Sequence, residues 1–455
     1  MNTHLSQRRA GILLHPTSLP SGKIDDDATR WLDFMQQAGL GVWQVLPLGV
    51  PQQNLSPYLC YSAFAMNPAL LAVDDQVVPD EAEFKQWQLQ QSFWLADYAD
   101  YCLLKQQHAS AAWYEWPEQY KSRDKNAMHD LRANNHDAID AIYREQYILD
   151  DRWQRIKQQA SQRNISIFGD MPIFVAHDSA DVWANRDCFL LNDDGHPAFV
   201  AGVPPDYFSE TGQRWGNPHY NWAHLATTGF EWWVQRMKHH FHLYDIVRID
   251  HFRGLQAVWM IDANCPTAID GYWQTVPGAK LLETIQKQMG DAAIVAEDLG
   301  VITDEVTALR EQFKLPGMSV LQFSFDGFED NPHKPENIEA NRIVYTGTHD
   351  NDTTLGWYNS LESDTQDYVY DRLDQDKSVD ICTALVNEAL KTKAALAVVP
   401  LQDFLKLDTN SRMNTPGIAE GNWQWRFEWQ DLPDNLSTDI LAMVNTHSRH
   451  GEQAI

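Results

Sequence analysis

The sequence predicts an α/β protein built as a parallel (β/α)8 TIM-type barrel, with large, partly helical insertions at the catalytic face and no C-terminal β-sandwich. Three observations predict it. Eight short apolar runs end in polar residues, and amphipathic or capped helical stretches lie between them. Two separations, residues 49–164 and 171–245, are too long for a simple crossover, and both leave after a strand. About 55 residues follow the eighth run, too few for a trailing sandwich. An open doubly wound sheet is the competing architecture. No linker, repeat or low-complexity tract divides the chain. Residues 1–455 therefore read as a single catalytic barrel with insertion subdomains at about 49–164 and 171–245.

In order, the candidate strands are Gly11–His15, Val42–Pro47, Ile165–Asp170, Ile246–Asp250, Ala293–Glu297, Ser319–Phe323, Arg342–Gly347 and Leu396–Pro400. Pro16 and Pro20 follow the first run and interrupt it. Helices are expected over Ala28–Ala38, Ala138–Gln159, Phe230–Phe241, Lys280–Met289 and Thr303–Phe313. The last opens Thr303-Asp304-Glu305, acidic where a helix N-terminus prefers negative charge. The first insertion should hold two more helices, Glu81–Gln91 and Trp94–Gln107, and the second opens with a Gly/Pro/aromatic loop from Val203 to Trp222.

Composition narrows the function. Hydrophobic residues make up 44% and charged residues 22%, enough for a large core. The net charge is 35 − 63 = −28, which repels phosphate backbones and anionic lipid, so neither nucleic acid nor a membrane is expected as a partner. A neutral or cationic ligand suits that field. The 18 tryptophans offer flat rings for a ligand with apolar faces and polar edges, such as a sugar, although core packing accounts for most of them. Five cysteines, Cys60, Cys102, Cys188, Cys265 and Cys382, are widely spaced with no C-x-x-C, which argues against a disulfide scaffold or structural zinc. The apolar run Gly11–Leu14 is too short for a signal-peptide core, and no stretch approaches 18 apolar residues. A soluble cytoplasmic protein is expected.

In a barrel, chemistry sits where strands end. Those ends carry His15, Asp170, Asp250, Glu297, Asp326, Asp350 and Asp403, a carboxylate-rich set of the kind glycoside chemistry uses. In Val247-Arg248-Ile249-Asp250, alternation puts Arg248 and Asp250 on one face, where the guanidinium should keep the carboxylate ionised, as a nucleophile requires. A purely structural Arg–Asp pair fits the spacing equally well. Glu297 follows Val295 on the inward face, and an apolar approach should raise its pKa as a general acid requires. Asp298 should point the other way and cap the turn at Gly300; a helix-capping acidic pair is the competing reading of both residues. Thr348-His349-Asp350-Asn351-Asp352 is a dense polar cluster. Its Asp-x-Asp start resembles a calcium loop, but Leu355 stands where glycine is needed, so no metal is expected. His239, His240 and His242 lack zinc-enzyme spacing and suggest a solvated helix C-terminus. Walker A, G-x-G-x-x-G and G-x-S-x-G are missing, and no cofactor is expected.

These residues resemble the amylomaltase, or 4-α-glucanotransferase (disproportionating enzyme), family, which is related to the α-amylase barrels. The matching stretches are Gly11–Pro20, Ser56-Pro57-Tyr58 with Ser62–Ala65, Gly169–Ala176, the Val203–Pro218 loop, Arg248–Gly254, Ala296–Gly300, Tyr345–Asp352 and Arg412–Gly417. They run in family order across nearly the whole chain. The resemblance implies Asp250 as nucleophile, Glu297 as general acid/base and Asp350 as a third carboxylate binding the sugar beside the scissile bond. Arg248 would orient the nucleophile, His349 would bind the same sugar, and Tyr58 would stack under it. Ser56, Asp170, Trp215, Asp326 and Asn414 would be further substrate contacts, with Tyr207 and Phe208 on a mobile loop over the cleft. The expected partners are α-1,4-glucan donors and acceptors, maltodextrins and glucose. An amylase-type α-glucan hydrolase and a non-catalytic glucan-binding protein are the alternatives.

Overall fold

The computed structural model describes residues 4–72, 80–205 and 209–450. Eight strands form the barrel: β1 (Arg9–Leu13), β2 (Val42–Gln44), β3 (Ser166–Pro172), β4 (Ile246–Asp250), β5 (Ile294–Ala296), β6 (Gly317–Val320), β7 (Arg342–Tyr345) and β8 (Leu396–Pro400). Their order is β6-β7-β8-β1-β2-β3-β4-β5, and every neighbouring pair is parallel. No ladder joins β5 to β6, but the Ala296 N–H reaches the Pro316 carbonyl at 2.8 Å across that joint. All eight expected runs are barrel strands, and the doubly wound alternative is excluded. The boundaries differ most at β6. It starts at Gly317, and Leu321–Phe323 winds into a 3-10 turn that a short apolar run cannot announce.

Alternation along each strand builds two cores. Leu13, Val42, Phe168, Ile246, Val295, Met318, Val320, Ile343, Tyr345 and Val398 fill the barrel interior. Ile12, Trp43, Ile167, Val247, Ile249, Ile294, Val344 and Val399 face outward under the helices. The helices lie close to expectation, at Asp26–Gln37, His136–Gln162, Glu231–Leu243, Gly278–Met289 and Asp304–Gln312. Gly169 of β3 has to lack a side chain, because a Cβ there would meet the Tyr244 ring at 2.1 Å. Six tryptophans, Trp31, Trp43, Trp113, Trp153, Trp183 and Trp233, are fully buried and belong to packing.

The first insertion carries the expected helices at Glu81–Gln90 and Leu95–Gln107, and adds Lys125–Asn134. The second differs from its reading as a loop. Phe199–Val203 and Gln213–Pro218 are strands. They join Ala257–Asp262 and Gly271–Thr275, a hairpin that follows β4, in a four-stranded antiparallel sheet. This sheet flanks the chain that leaves β4. Of the three histidines near the end of the Glu231–Leu243 helix, only His242 is exposed as a solvated terminus would be. His239 and His240 are buried, with His239 Nε2 2.8 Å from the Phe64 carbonyl and His240 Nδ1 2.9 Å from the Arg236 carbonyl. His242 pairs with Asp150 at 2.7 Å. Among the described residues, no helix is long and apolar enough to cross a membrane.

Candidate active site

The C-terminal ends of β3 and β4 build the centre. Both strands send alternate residues inward, so Asp170 follows Phe168 and Arg248 and Asp250 follow Ile246 on the interior face. Arg248 Nη1 lies 2.8 and 2.7 Å from the two oxygens of Asp170 and 3.0 Å from Asp250 Oδ1. Its Nε points at Met318 Sδ at 3.4 Å. Asp170 is completely buried, whereas the Asp250 side chain keeps 29% of its surface open to the cleft. Burial pushes the Asp250 carboxyl up to about 6, and Arg248 only partly offsets this because Asp170 shares the same cation. Asp250 is ionised at neutral pH, but it is a stronger base than the Arg–Asp spacing suggested.

Glu297 immediately follows β5, two residues after the inward-facing Val295. Its Oε2 accepts the N–H of His251 at 2.6 Å and its Oε1 accepts the N–H of Leu299 at 2.8 Å. Its backbone is tied on both sides, Glu297 N–H to the Ile249 carbonyl and Phe252 N–H to the Glu297 carbonyl, each at 3.1 Å. His251 takes a left-handed conformation (φ 53°) immediately after Asp250, which turns its amide onto the carboxyl. Burial, reinforced by the Asp250 charge and opposed by Arg248, raises Glu297 to about 7. The two carboxyls therefore titrate as a pair, with the higher value on the more enclosed one. Asp298 does not cap the turn at Gly300. It accepts the Met318 N–H at 2.7 Å and pairs with Arg310 and Arg342.

The opposite wall is aromatic and polar. Tyr58 donates its hydroxyl to Asp170 Oδ2 at 2.7 Å, and its ring stacks on His349 with centroids 5.0 Å apart and planes at 17°. One face of Tyr58 is thus already taken. Trp423 leans on both rings, 6.0 Å from Tyr58 and 5.9 Å from His349. His349 Nε2 lies 3.4 Å from Asp350 Oδ2, and Asn414 donates to Asp350 Oδ1 at 2.6 Å. Burial alone would raise Asp350, but His349 and Asn414 outweigh it and hold the carboxyl well below its usual range. The reciprocal effect of Asp350 raises His349 despite burial. Arg412 braces this corner by donating to the carbonyls of Asp350 and Asn414, both at 2.6 Å.

Asp170, Arg248, Asp250, Tyr58, His349, Asp350 and Asn414 are thus joined by direct contacts, and Glu297 joins through His251. Trp215 stands edge-on to His251, centroids 4.8 Å apart, on the strand Gln213–Pro218. Ser56 Oγ accepts the Tyr58 N–H at 3.3 Å, shaping the turn that presents the ring. Asp326 stands apart: Asn331 bonds it at 2.9 Å, Lys334 lies 3.8 Å away, and none of the bonds joining the other residues reaches it. Asp403 is consumed by Thr346 and Thr354, at 2.5 to 2.8 Å. Tyr207 and Phe208 lie outside the described residues. Trp423 was not singled out by the sequence, and Arg412 and His251 stood only within the matching stretches, with no role assigned to them. A tryptophan in a loop after β8 carries no periodic signal, and only its approach to Tyr58 and His349 reveals it.

Comparison with known proteins identifies the family. The glycoside hydrolase family 77 model, described as 4-alpha-glucanotransferase, matches residues 14–82 and 74–432. The 4-alpha-glucanotransferase of Synechocystis sp. is 42% identical over 500 residues, and that of Thermus thermophilus is 41% identical over 499; each match covers 98% of this chain and 99% of the relative. The solved structure of the amylomaltase from Streptococcus agalactiae, in complex with acarbose, matches with a TM-score of 0.93 at 31% identity, over 98% of this chain and 100% of that one. The chain therefore belongs to glycoside hydrolase family 77, the 4-α-glucanotransferases or amylomaltases, and is an enzyme of that type.

Proposed function

We propose that the enzyme moves α-1,4-glucan segments from a donor to the 4-hydroxyl of an acceptor glucan or glucose by a retaining double displacement. Asp250 attacks the anomeric carbon while Glu297 delivers its proton to the departing 4-oxygen. The resulting glycosyl ester on Asp250 is opened by the acceptor hydroxyl, whose proton returns to Glu297. Two inversions at one carbon give net retention. The observation that carries this reading is the shared peptide: the amide next to Asp250, that of His251, is the donor that holds Glu297 at 2.6 Å. A nucleophile and an acid held by one peptide unit keep their relative placement through both steps.

Asp350, with its charge secured by His349 and Asn414, accepts hydrogen bonds from the sugar beside the scissile bond, and Tyr58 offers that sugar its remaining face. Asp170 and Arg248 keep the nucleophile oriented. Ser56, Trp215, Asp326, Tyr207 and Phe208 would contact the glucan further out. Transfer prevails over hydrolysis where aromatic surface such as Trp215 excludes water from the ester until an acceptor arrives. The single-barrel reading, with insertions at about 49–164 and 171–245 walling the cleft, belongs to this proposal. So does a cytoplasmic setting on maltodextrins, supported by five free cysteines.

Maltotriose should give glucose plus maltopentaose and longer chains with a nearly constant number of reducing ends. Transfer conserves glycosidic bonds, whereas hydrolysis adds one reducing end per cut. A reducing-end count that climbs in step with maltotriose loss would favour the hydrolase. The kcat/KM profile should be a narrow bell. It should fall below pH about 6 as Asp250 takes up a proton, and above pH about 7 as Glu297 loses one. A flat profile from pH 5 to 8 contradicts the assignment. Trp423→Ala should lower kcat/KM on maltotriose by roughly 3- to 10-fold, mostly through KM, because it frees the Tyr58–His349 stack whose ring contacts are each worth about 1 kcal/mol. Unchanged kinetics would place Trp423 outside the sugar wall.

A further inference from the structure

One of the eight barrel joints is not made by backbone alone. In a regular parallel ladder, once the Ala296 N–H has reached the Pro316 carbonyl, the Met318 N–H returns to the carbonyl of Ala296. Here the Met318 N–H donates to the side chain of Asp298 instead, at 2.7 Å. The carboxylate is inserted into the seam between β5 and β6. Arg342 holds it with Nη2 3.2 Å from Oδ2 and Nη1 3.3 Å from Oδ1, and Arg310 Nε lies 3.3 Å from Oδ2. Gly317 makes the room: a Cβ there would fall 2.4 Å from Asp298 Oδ2 and 2.7 Å from Oδ1. On the chain, Asp298 follows Glu297, and the peptide joining Asp298 to Leu299 carries the N–H that holds Glu297 Oε1 at 2.8 Å. The seam carboxylate and this donor hang on one Cα.

We propose that Asp298 is a positioning residue for the acid/base carboxyl: docked in the β5/β6 seam, it fixes the Leu299 amide on Glu297 and so sets both the direction of that carboxyl and its hold on the proton. The inference rests on the acid/base role of Glu297 proposed above. A joint needed only to close the barrel would be served by a backbone bond, without a buried carboxylate that has to be compensated by two arginines. The charges divide cleanly. Arg248 and Asp250 face Glu297 from β4, while Asp298 faces Arg310 and Arg342, with Glu311 3.5 Å from Arg310 on the far side. Asp298 thus acts on Glu297 through the backbone rather than across the cleft.

The test uses two variants that leave the charge of Asp298 in place. Arg342→Lys forfeits the two-pronged grip, and Gly317→Ala puts a methyl where the carboxylate lies. In both, kcat on maltotriose should fall about tenfold, a fraction of what general acid–base catalysis contributes. KM should stay within about twofold. The alkaline limb of the kcat/KM profile should rise by roughly half a unit or more, because ionised Glu297 loses a donor. Circular dichroism and a thermal scan verify folding, and if Gly317→Ala does not fold, Arg342→Lys decides. A folded Arg342→Lys enzyme with the wild-type limb, even one with a lower melting temperature, overturns the proposal and leaves Asp298 as a barrel clasp. Failure of the underlying reading shows separately: Glu297→Gln would then keep near-wild-type turnover on maltotriose, whatever the seam variants do.

Discussion

Arg248 stands at the centre of the barrel mouth, divided between Asp170 and Asp250. Taking a guanidinium and two carboxylates out of water costs several kcal/mol per ion, and the cost is offset only if every group keeps close partners. That demand accounts for much of the surrounding structure. Asp170, wholly buried, has both oxygens on Arg248 and one also on the Tyr58 hydroxyl. Tyr58 is thereby anchored, His349 stacks on it, and Asp350 pairs with His349. Removing Arg248 would leave the buried Asp170 carboxylate unpaired beside the partly open Asp250, a loss on the order of 3 kcal/mol or more. The sugar wall and the nucleophile are one electrostatic unit.

Sharing the arginine has a chemical consequence. A guanidinium devoted to Asp250 would pull its pKa below the usual carboxylate range. Divided with Asp170 and set in a desolvating cleft, Arg248 leaves Asp250 raised to about 6. Glu297, more enclosed and repelled by Asp250, rises further, to about 7. Between pH about 6 and about 7, the pair favours one proton, held mostly on Glu297. That is the state a double displacement starts from, with an ionised nucleophile beside a protonated acid. Asp350 is driven the opposite way by His349 and Asn414 and stays charged throughout.

The parts legible in the sequence are those governed by period-two alternation. It placed Arg248 with Asp250 on one face and Glu297 with Val295 on the inward face, while the eight strands themselves were legible as short apolar runs ending in polar residues. The distant partners were not legible from periodicity. Tyr58 sits more than a hundred residues before Asp170, and only the family resemblance named it. Trp423 comes from the loop after β8, and nothing local marks it. Asp298 was misread because alternation says which face a residue leaves but not that a neighbouring glycine, Gly317, has opened a slot for it. The antiparallel sheet escaped notice because its strands belong to two different connections, before and after β4. Asp326 and Asp403 both looked like cleft carboxylates at strand ends, yet Asn331 and Lys334 hold the first, and Thr346 and Thr354 the second.

The central claim is the division of labour between Asp250 and Glu297, and trapping the intermediate tests it most directly. Glu297→Gln, incubated with an α-maltosyl fluoride donor that needs no proton to depart, should accumulate a glycosyl ester because no base remains to activate an acceptor. Peptide mass spectrometry should find the added glycosyl mass on Asp250. The account is contradicted if the variant consumes the fluoride while Asp250 stays unmodified, or if the sugar is found on another carboxylate.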